Sequence, residues 1–479
     1  MIAPKIKKLL KVVDKLQKKY FLAGLFVFFA LTAAFICFYQ LGASYLENWD
    51  EGLYAQVTKE MLQTKDLLVL HWNGEIYLDK TPFNYWFNAF FSLLFGLSEF
   101  SVRLMSAISG FLVIIIVSVY SYKNWGTLAA FFAFIAIALN NLFIWRARTG
   151  NLDALLSLLV VLSFLLMTSK NRYRYILLGV VFGCMFLQKA TVVVFPFAIF
   201  CLTEVLFNYR NFFKNLIQYI LLGIIMGMII GTWLSLAQEA SGNPSFSAYY
   251  LFSSDQGVSH LDLSKIKLDY ISFAYYSLQR RFFFLFVIGL VFLLTRFYKR
   301  TEATIVLFAT FLLATLSFTT RNNNWYLIPS MPFWALIVGY AAHRLVAFFA
   351  RFIDKRILVT IIVIPSIYIA YKTFTVNIMS IINQQANVTE VQSAQIIRKL
   401  SKEKDIIMRL DHAYPVTLYY SDRKTYFYDH VDADLYKIIK QRGVNWVVGK
   451  SVIVGEFLKN PDIKPQKTIK NGDETVVSL

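Results

Sequence analysis

The chain is built around repeated apolar runs of about 20 residues, the length needed to carry a helix across a bilayer. In hydrocarbon every backbone N–H and C=O must be satisfied within its own segment, so such runs fold as helices. Candidate spans lie at roughly 21–40, 101–122, 126–145, 151–169, 174–189, 191–207, 215–236, 280–297, 302–318, 325–349 and 356–373. The segment 83–97 is apolar but short and follows Thr81-Pro82, so an interfacial helix is expected there. Charged residues make up only 16% of the chain, against about 25% in soluble proteins. The expected fold is a polytopic α-helical membrane protein with about 11–13 transmembrane helices.

The 48 Lys plus Arg against 29 Asp plus Glu give a formal charge of +19. The positives collect in SKNRYRY (169–175), NYRNFFKN (208–215), RFYKRTE (296–302) and RFIDKR (351–356), which the positive-inside rule places in the cytoplasm. No basic stripe carries base-stacking aromatics outside the membrane, so nucleic acid is not an expected partner. The opposite face then receives the loop 41–100, the turn 145–153, the loop 237–279, the turn 319–324 and the C-terminal tail. Arg146 and Arg148 fall on that outer side against the bias, which fits either anion binding or a misplaced helix end. The three cysteines, Cys37, Cys184 and Cys201, sit in apolar runs and exclude an exposed disulfide framework. The basic N-terminus precedes a run too long for a signal-peptide core, so an uncleaved first span is expected.

From Val388 the composition turns to that of a soluble α/β domain, giving a division into 1–384 and 385–479. Residues 388–403 have helical periodicity, while 405–411 and 424–429 alternate as strands do. DADLYKIIKQRG predicts a helix closed by Gly443, VNWVVGK a buried strand, and Asn471-Gly472 a hairpin turn.

The outer loop is not a plain connector. Asp50 and Glu51 stand beside Trp49 and Tyr54, where an aromatic interface can raise a carboxylate's pKa and favour base catalysis. Solvated surface carboxylates are the plainer alternative. Lys80 offers a point charge for a phosphate and Asp79 an oxygen ligand for a divalent cation; a neutralised pair at a helix start explains both equally. Asp153 opens a span otherwise free of charge, as a functional carboxylate or a helix-start residue. Lys189 is a phosphate contact or a snorkelling lysine; Arg321 with Tyr326, and Arg281, are head-group clamps or interfacial anchors. The five histidines share no ligand spacing, and no Walker, G-x-G-x-x-G or G-x-S-x-G motif occurs.

DEGLYAQVTKEML, GEIYLDKTPFNYWFNAFFSLLFG and SEFSVRLMSAISG together closely resemble the first outer loop of the bacterial aminoarabinose–lipid A transferases. They are similar, more loosely, to protein O-mannosyltransferases, and both are GT-C membrane glycosyltransferases. The resemblance continues through RTGNLDALL, FLQKATVVVFP and FTTRNNNWYLIPSMPFWALIVG, covering about 1–350. It implies a GT-C-type fold with Asp50 as catalytic carboxylate, Glu51 beside it and Asp153 as second acid. It also implies Lys80 at the donor phosphate; Arg321, Arg281 and Lys189 are the further candidates there, and Tyr54, Tyr326 and Arg148 the candidates to line the substrate. A divalent metal is implied too, with Asp79, Asp255 and His260 as its available ligands. Asp79 replaces the family's usual Glu, Lys189-Ala190 its Lys-Gly pair, and Arg321 its usual lysine.

The implied reaction moves a sugar from a polyprenyl-phosphate donor to lipid A, another glycolipid or a protein hydroxyl, with inversion. Its place is the outer face of a bacterial inner membrane, with membrane lipids around a monomer and the C-terminal domain in the periplasm. A lipid or sugar transporter is the alternative from another class, but repeated halves and broken midplane helices are not evident in the sequence. A purely structural envelope role leaves Asp50 and Asp153 unexplained.

Overall fold

The computed structural model describes residues 2–252, 268–319 and 323–479. Its first two thirds are a helical bundle. Helix α1 (Ile2–Phe38) leads into the outer loop, which holds α2 (Asp50–Thr64), the hairpin β1–β2 (His71–Trp72, Glu75–Ile76) and α3 (Phe83–Phe95). The chain then runs through α4 (Glu99–Trp125), α5 (Thr127–Ala138), α6 (Asn141–Arg148), α7 (Asp153–Thr168), α8 (Arg174–Gln188), α9 (Val194–Asn208) and α10 (Leu216–Ser241). After α11 (Phe246–Phe252) and α12 (Asp269–Ser277) come α13 (Arg281–Leu294), α14 (Arg300–Leu316), α15 (Met331–Phe349) and α16 (Lys355–Thr373). A helical turn over 374–378 and the short α17 (Met379–Ile382) end the bundle.

Each of the eleven expected spans is helical. Among the described residues, six helices are long and apolar enough to cross a bilayer, or eight if two bent pairs each count as one span. The rest of the expected number are shorter: α7, α8 and α14 have 16, 15 and 17 residues. The chain is a multi-span membrane protein. Lipid contact is written on α16, whose span window is only 6% buried. In the bundle core, by contrast, Phe29 stacks on Phe134 and Phe308 on Phe333 at 4.2 and 4.6 Å.

Two departures from the expected spans position the site. The run 126–145 is not one helix: α5 and α6 meet at 62°. Asn140 makes the break, its Oδ1 accepting from the Phe143 N–H at 3.0 Å to cap α6. The close approach of α6 to α4 needs Gly110, where a Cβ would come within 2.5 Å of the Ala147 Cβ. The segment 83–97 is helical as expected, but its inner face is polar: Asn84, Tyr85 and Asn88 are wholly buried, while Phe90, Leu93 and Leu94 face outward.

The C-terminal part follows its sequence pattern closely. Helix α18 (Val388–Leu400) precedes β3 (Ile407–Leu410), and α19 (Pro415–Ser421) leads to β4 (Thr425–Tyr428). Then α20 (Ala433–Arg442), β5 (Trp446–Lys450), α21 (Ser451–Phe457), β6 (Lys467–Asn471) and β7 (Glu474–Ser478) complete a five-stranded sheet of order β4-β3-β5-β7-β6. Asp432 caps α20 and Gly443 ends it in the left-handed conformation, as the sequence requires.

This sheet domain is seated on the outer loop. Gly52 lets α2 approach α19, since a Cβ there would lie 2.8 Å from Val416 Cγ1. Lys59 pairs with Asp422 at 2.5 Å and donates to the Tyr419 carbonyl at 3.1 Å. Burial alone would raise the Asp422 carboxyl, but Lys59's hydrogen bond and charge outweigh it and hold it below its ordinary range. Asn73, at the tip of the β1–β2 hairpin, donates to the Thr425 carbonyl at 2.8 Å. Trp72 and Phe427 lie parallel at 6.0 Å.

Candidate active site

Three acidic side chains converge where α2, α6 and α7 begin or end, and their surroundings give them different work. Trp49 takes a φ of 62°, sparsely populated for a bulky residue, and starts α2 at Asp50. Asp50 and Glu51 thus sit in the first helical turn, where the helix dipole favours anions.

Glu51 belongs to the framework. It is 1% exposed and takes a two-pronged ion pair from Arg103, Nε to Oε1 at 2.7 Å and Nη2 to Oε2 at 3.0 Å. The Gly150 N–H donates to Oε1 and the Glu47 N–H to Oε2. Arg103 also donates to the carbonyls of Leu41, Ser44 and Tyr45, tying the end of α1 to α2 and α4. Both oxygens of Glu51, expected beside the catalytic carboxylate, are thus held by framework donors. Arg103 carried no signal in the sequence beyond its place at the end of the loop.

Asp50 is the open carboxylate. Its side chain is 45% exposed, against 6% for Asp153. Arg146 joins the two, Nη1 lying 3.5 Å from Asp50 Oδ2 and Nε 3.6 Å from Asp153 Oδ2. Its guanidinium is sandwiched by the Trp145 and Trp325 rings at 4.5 and 4.7 Å, which fixes its plane. Lys189 approaches Asp153 Oδ1 at 3.5 Å and lies over the Tyr326 ring at 5.2 Å. At these separations the contacts are chiefly ionic, with weak hydrogen bonding. So Asp153, Arg146, Lys189 and Tyr326 form one charged cluster with Asp50 at its open edge.

Of the two arginines that broke the charge bias, Arg146 faces this cluster. Arg148, expected to line the substrate, instead donates to the carbonyls of Ile36 and Tyr39 at 2.7 and 2.9 Å and caps the end of α1. The fold of α6 back into the protein explains why both could stand outside the bias: they are buried, not loop charges.

A second group lies further along the loop. Lys80 Nζ pairs with Asp79 Oδ2 at 2.5 Å, and the Tyr77 hydroxyl donates to the same oxygen at 3.3 Å. The Tyr250 hydroxyl fixes the Lys80 carbonyl at 2.8 Å. Tyr54 and Tyr85 meet edge to face at 5.7 Å. Burial first pushes the Tyr54, Tyr77 and Tyr85 hydroxyls well above their ordinary range, helped next by Asp50 at Tyr54, Asp79 at Tyr77 and Tyr77 at Tyr85, so they remain O–H donors.

Arg321, Asp255 and His260 lie outside the described residues, as does the side chain of Arg281. Among the described residues no three His, Cys, Asp or Glu side chains gather as a metal-holding group. Asp79 is turned to Lys80 and Tyr77.

Comparison with known proteins bears on the fold. The closed bundle with its outer loop and C-terminal sheet superposes on ArnT from Cupriavidus metallidurans, solved bound to undecaprenyl phosphate, with a TM-score of 0.74. That match covers 95% of this chain and 98% of that one at 17% identity. The chain has the GT-C fold. The archaeal oligosaccharyltransferase AglB from Archaeoglobus fulgidus, in complex with a peptide and a dolichol-phosphate, shares this GT-C fold at a TM-score of 0.55, over 90% of this chain and 70% of that one, with 13% identity. Residues 79–235 match the family described as dolichyl-phosphate-mannose-protein mannosyltransferase. In sequence the chain is 30% identical over 189 residues to the undecaprenyl phosphate-alpha-4-amino-4-deoxy-L-arabinose arabinosyl transferase of Aeromonas salmonicida, 36% of this chain. That match spans about a third, 35%, of the relative's own length. Arg146, Asp153 and Lys189 of the charged cluster fall within the matched residues 79–235, while Asp50 and Tyr326 lie outside them.

Proposed function

We propose that the protein is an integral-membrane glycosyltransferase that moves a sugar from a polyprenyl-phosphate donor to lipid A or a related envelope glycolipid. The observation that carries this reading is Asp50: an accessible carboxylate at the outer end of a GT-C bundle, held beside Asp153 by a sandwiched arginine. Such a donor keeps its lipid in the bilayer and its anomeric carbon at the water boundary. The acceptor hydroxyl gives its proton to Asp50, and its oxygen attacks the anomeric carbon from the face opposite the phosphate. The anomeric C–O bond breaks, its electron pair leaves with the polyprenyl phosphate, and the configuration inverts. The resemblance assigns Lys80 to neutralising that phosphate, with Lys189, Arg281 and Arg321 as the further candidates. Asp153 holds Arg146 and Lys189 in place. Tyr54 and Tyr326 line the path of the substrate. The C-terminal domain and this loop face the periplasm, and the protein works as a monomer in the inner membrane.

A protein hydroxyl is the second acceptor to weigh, because the matched family over 79–235 is described by protein mannosylation. Mass spectrometry of envelope lipids and proteins from cells with and without the gene separates the two. A glycolipid that loses one sugar's mass without the gene supports the main reading. A change confined to glycoproteins moves the acceptor to protein, and no change in either removes the transferase assignment.

A further inference from the structure

Beside the charged cluster, behind the Trp145–Arg146 pair, lies a cavity of about 810 Å³ that the reaction above does not use. It falls in the size range of small-molecule sites, roughly 300–1,000 Å³. Its walls come from residues 47–48 just before α2, from α6, from 324 and from the segment 376–387. Six of its thirteen lining side chains are carboxamides: Asn48, Asn141, Asn324, Asn377, Gln384 and Asn387. Among the described residues, the buried Oδ1 atoms of Asn48, Asn141 and Asn324 accept no hydrogen bond. Glu47 is the one charged residue in the lining, with its Oε1 accepting from Trp145 Nε1 at 2.6 Å. A lining with one anion and no cation disfavours phosphate or carboxylate. A ring of amides around one indole instead suits a neutral, polyhydroxylated molecule: amides exchange hydrogen bonds with hydroxyls, and a flat ring packs on a sugar's C–H face.

We propose that this cavity binds the saccharide part of the acceptor and brings its hydroxyl toward Asp50. The assignment deepens the transferase reading and rests on it for the identity of the occupant. The amides set the site apart from the cationic group that faces the donor phosphate: one side of Trp145 recognises hydroxyls, the other holds charge.

The test replaces Asn141 and Asn377 by Leu, singly and together, in the full-length protein in nanodiscs, with melting temperature as the control for folding. Two readouts are taken. The first is binding of N,N′-diacetylchitobiose by saturation-transfer NMR, which needs no turnover. The second is steady-state transfer with acceptor and donor varied separately. Wild type binds the disaccharide at about 10 mM, and the double variant binds it at least tenfold more weakly, as expected for two lost hydrogen bonds. Acceptor KM rises by a similar factor, while kcat and donor KM stay within about twofold. If wild type fails to bind the disaccharide, or binds it no better than the double variant does, the proposal is overturned. A rise in donor KM instead also overturns it. Should no transfer be found while disaccharide binding depends on Asn141 and Asn377, the saccharide site stands and the transferase reading falls. A variant that unfolds is replaced by Asn377→Leu alone, which leaves α6 itself unaltered.

Discussion

Replacing Arg103 by Leu tests whether Glu51 is framework or chemistry. Arg103 and Glu51 are 3% and 1% exposed, and no solvent is at hand to neutralise whichever partner remains. Breaking a buried pair from one side typically costs about 3–5 kcal/mol. Arg103→Leu also frees the carbonyls of Leu41, Ser44 and Tyr45, so the upper end of that range is expected. Glu51→Leu should cost a similar about 3–5 kcal/mol, because it strands the guanidinium. The double variant removes both charges. What then remains is the loss of an acceptor by the Gly150 and Glu47 N–H groups, about 1–3 kcal/mol each, and of a donor by the three carbonyls, costs that the single variants already carry and that cancel in the coupling. The double variant should therefore be more stable than the sum of the singles by at least 2 kcal/mol, a large coupling on the scale of about 0.5–3 kcal/mol. Thermal unfolding of the purified protein in detergent, followed by intrinsic fluorescence, gives the cycle. Transfer is measured on the same samples below the melting temperature. With Asp50 intact, the double variant should keep transfer within about tenfold of wild type. Additive costs would refute the pair as a coupled unit, and a stable but inactive double variant would return Glu51 to the chemistry.

Three further outcomes follow from the same geometry. Arg146→Met should lower kcat by about 100-fold through misplacement of Asp50 and Asp153, with Arg146→Lys recovering part of it; unchanged kcat would remove Arg146 from the site. Glu47 is held above its ordinary value of 4.5 by burial first and then by the charge of Glu51, so the folded state binds the proton more tightly than the unfolded chain does. Its ionisation therefore subtracts stability as pH rises from 4.5 through the raised value, and Glu47→Gln should raise the melting temperature at pH 7 but not below pH 4.5, a pattern that melts across that range would check. Lys80→Ala should weaken binding of bare polyprenyl phosphate by one to two decades, about 1.5–3 kcal/mol, and unchanged affinity would leave Lys80 as a partner of Asp79 alone.

Much of this could be read from the chain itself because bilayers and strands impose short-range rules. The apolar runs, the Gly443 stop, the Asn471-Gly472 turn and the three parallel-type strand patterns each depend on neighbours a few residues away. The acidic residues Asp50 and Asp153 were visible for the same reason, as charges in apolar surroundings. What the sequence did not reveal depends on contacts between distant segments. Glu51 and Arg103 are 52 residues apart, and nothing local says that one cancels the other. The break at Asn140 is a single cap inside an apolar run, too weak a signal to bend a span on the page, yet it turns Arg146 inward and Arg148 toward α1. Arg146 and Arg148 stood out as a pair, but only the helix's rotation separates the one that meets Asp50 from the one that caps a neighbour. The inner polar face of α3 was masked by its high apolar content, which belongs to its outer face.

Asp50→Asn in a reconstituted transfer assay tests the central claim most directly. The substitution keeps the side chain's shape at an accessible position, so expression and melting temperature should stay near wild type. Purified wild-type protein in liposomes, given a polyprenyl-phosphate sugar and a lipid A acceptor, should form a glycolipid of inverted anomeric configuration. Removing the base should slow that transfer by about 100-fold or more, within the 10²–10⁴ typical of acid–base groups. A folded Asp50→Asn protein that transfers sugar within tenfold of wild type, or a product of retained configuration, would contradict the account.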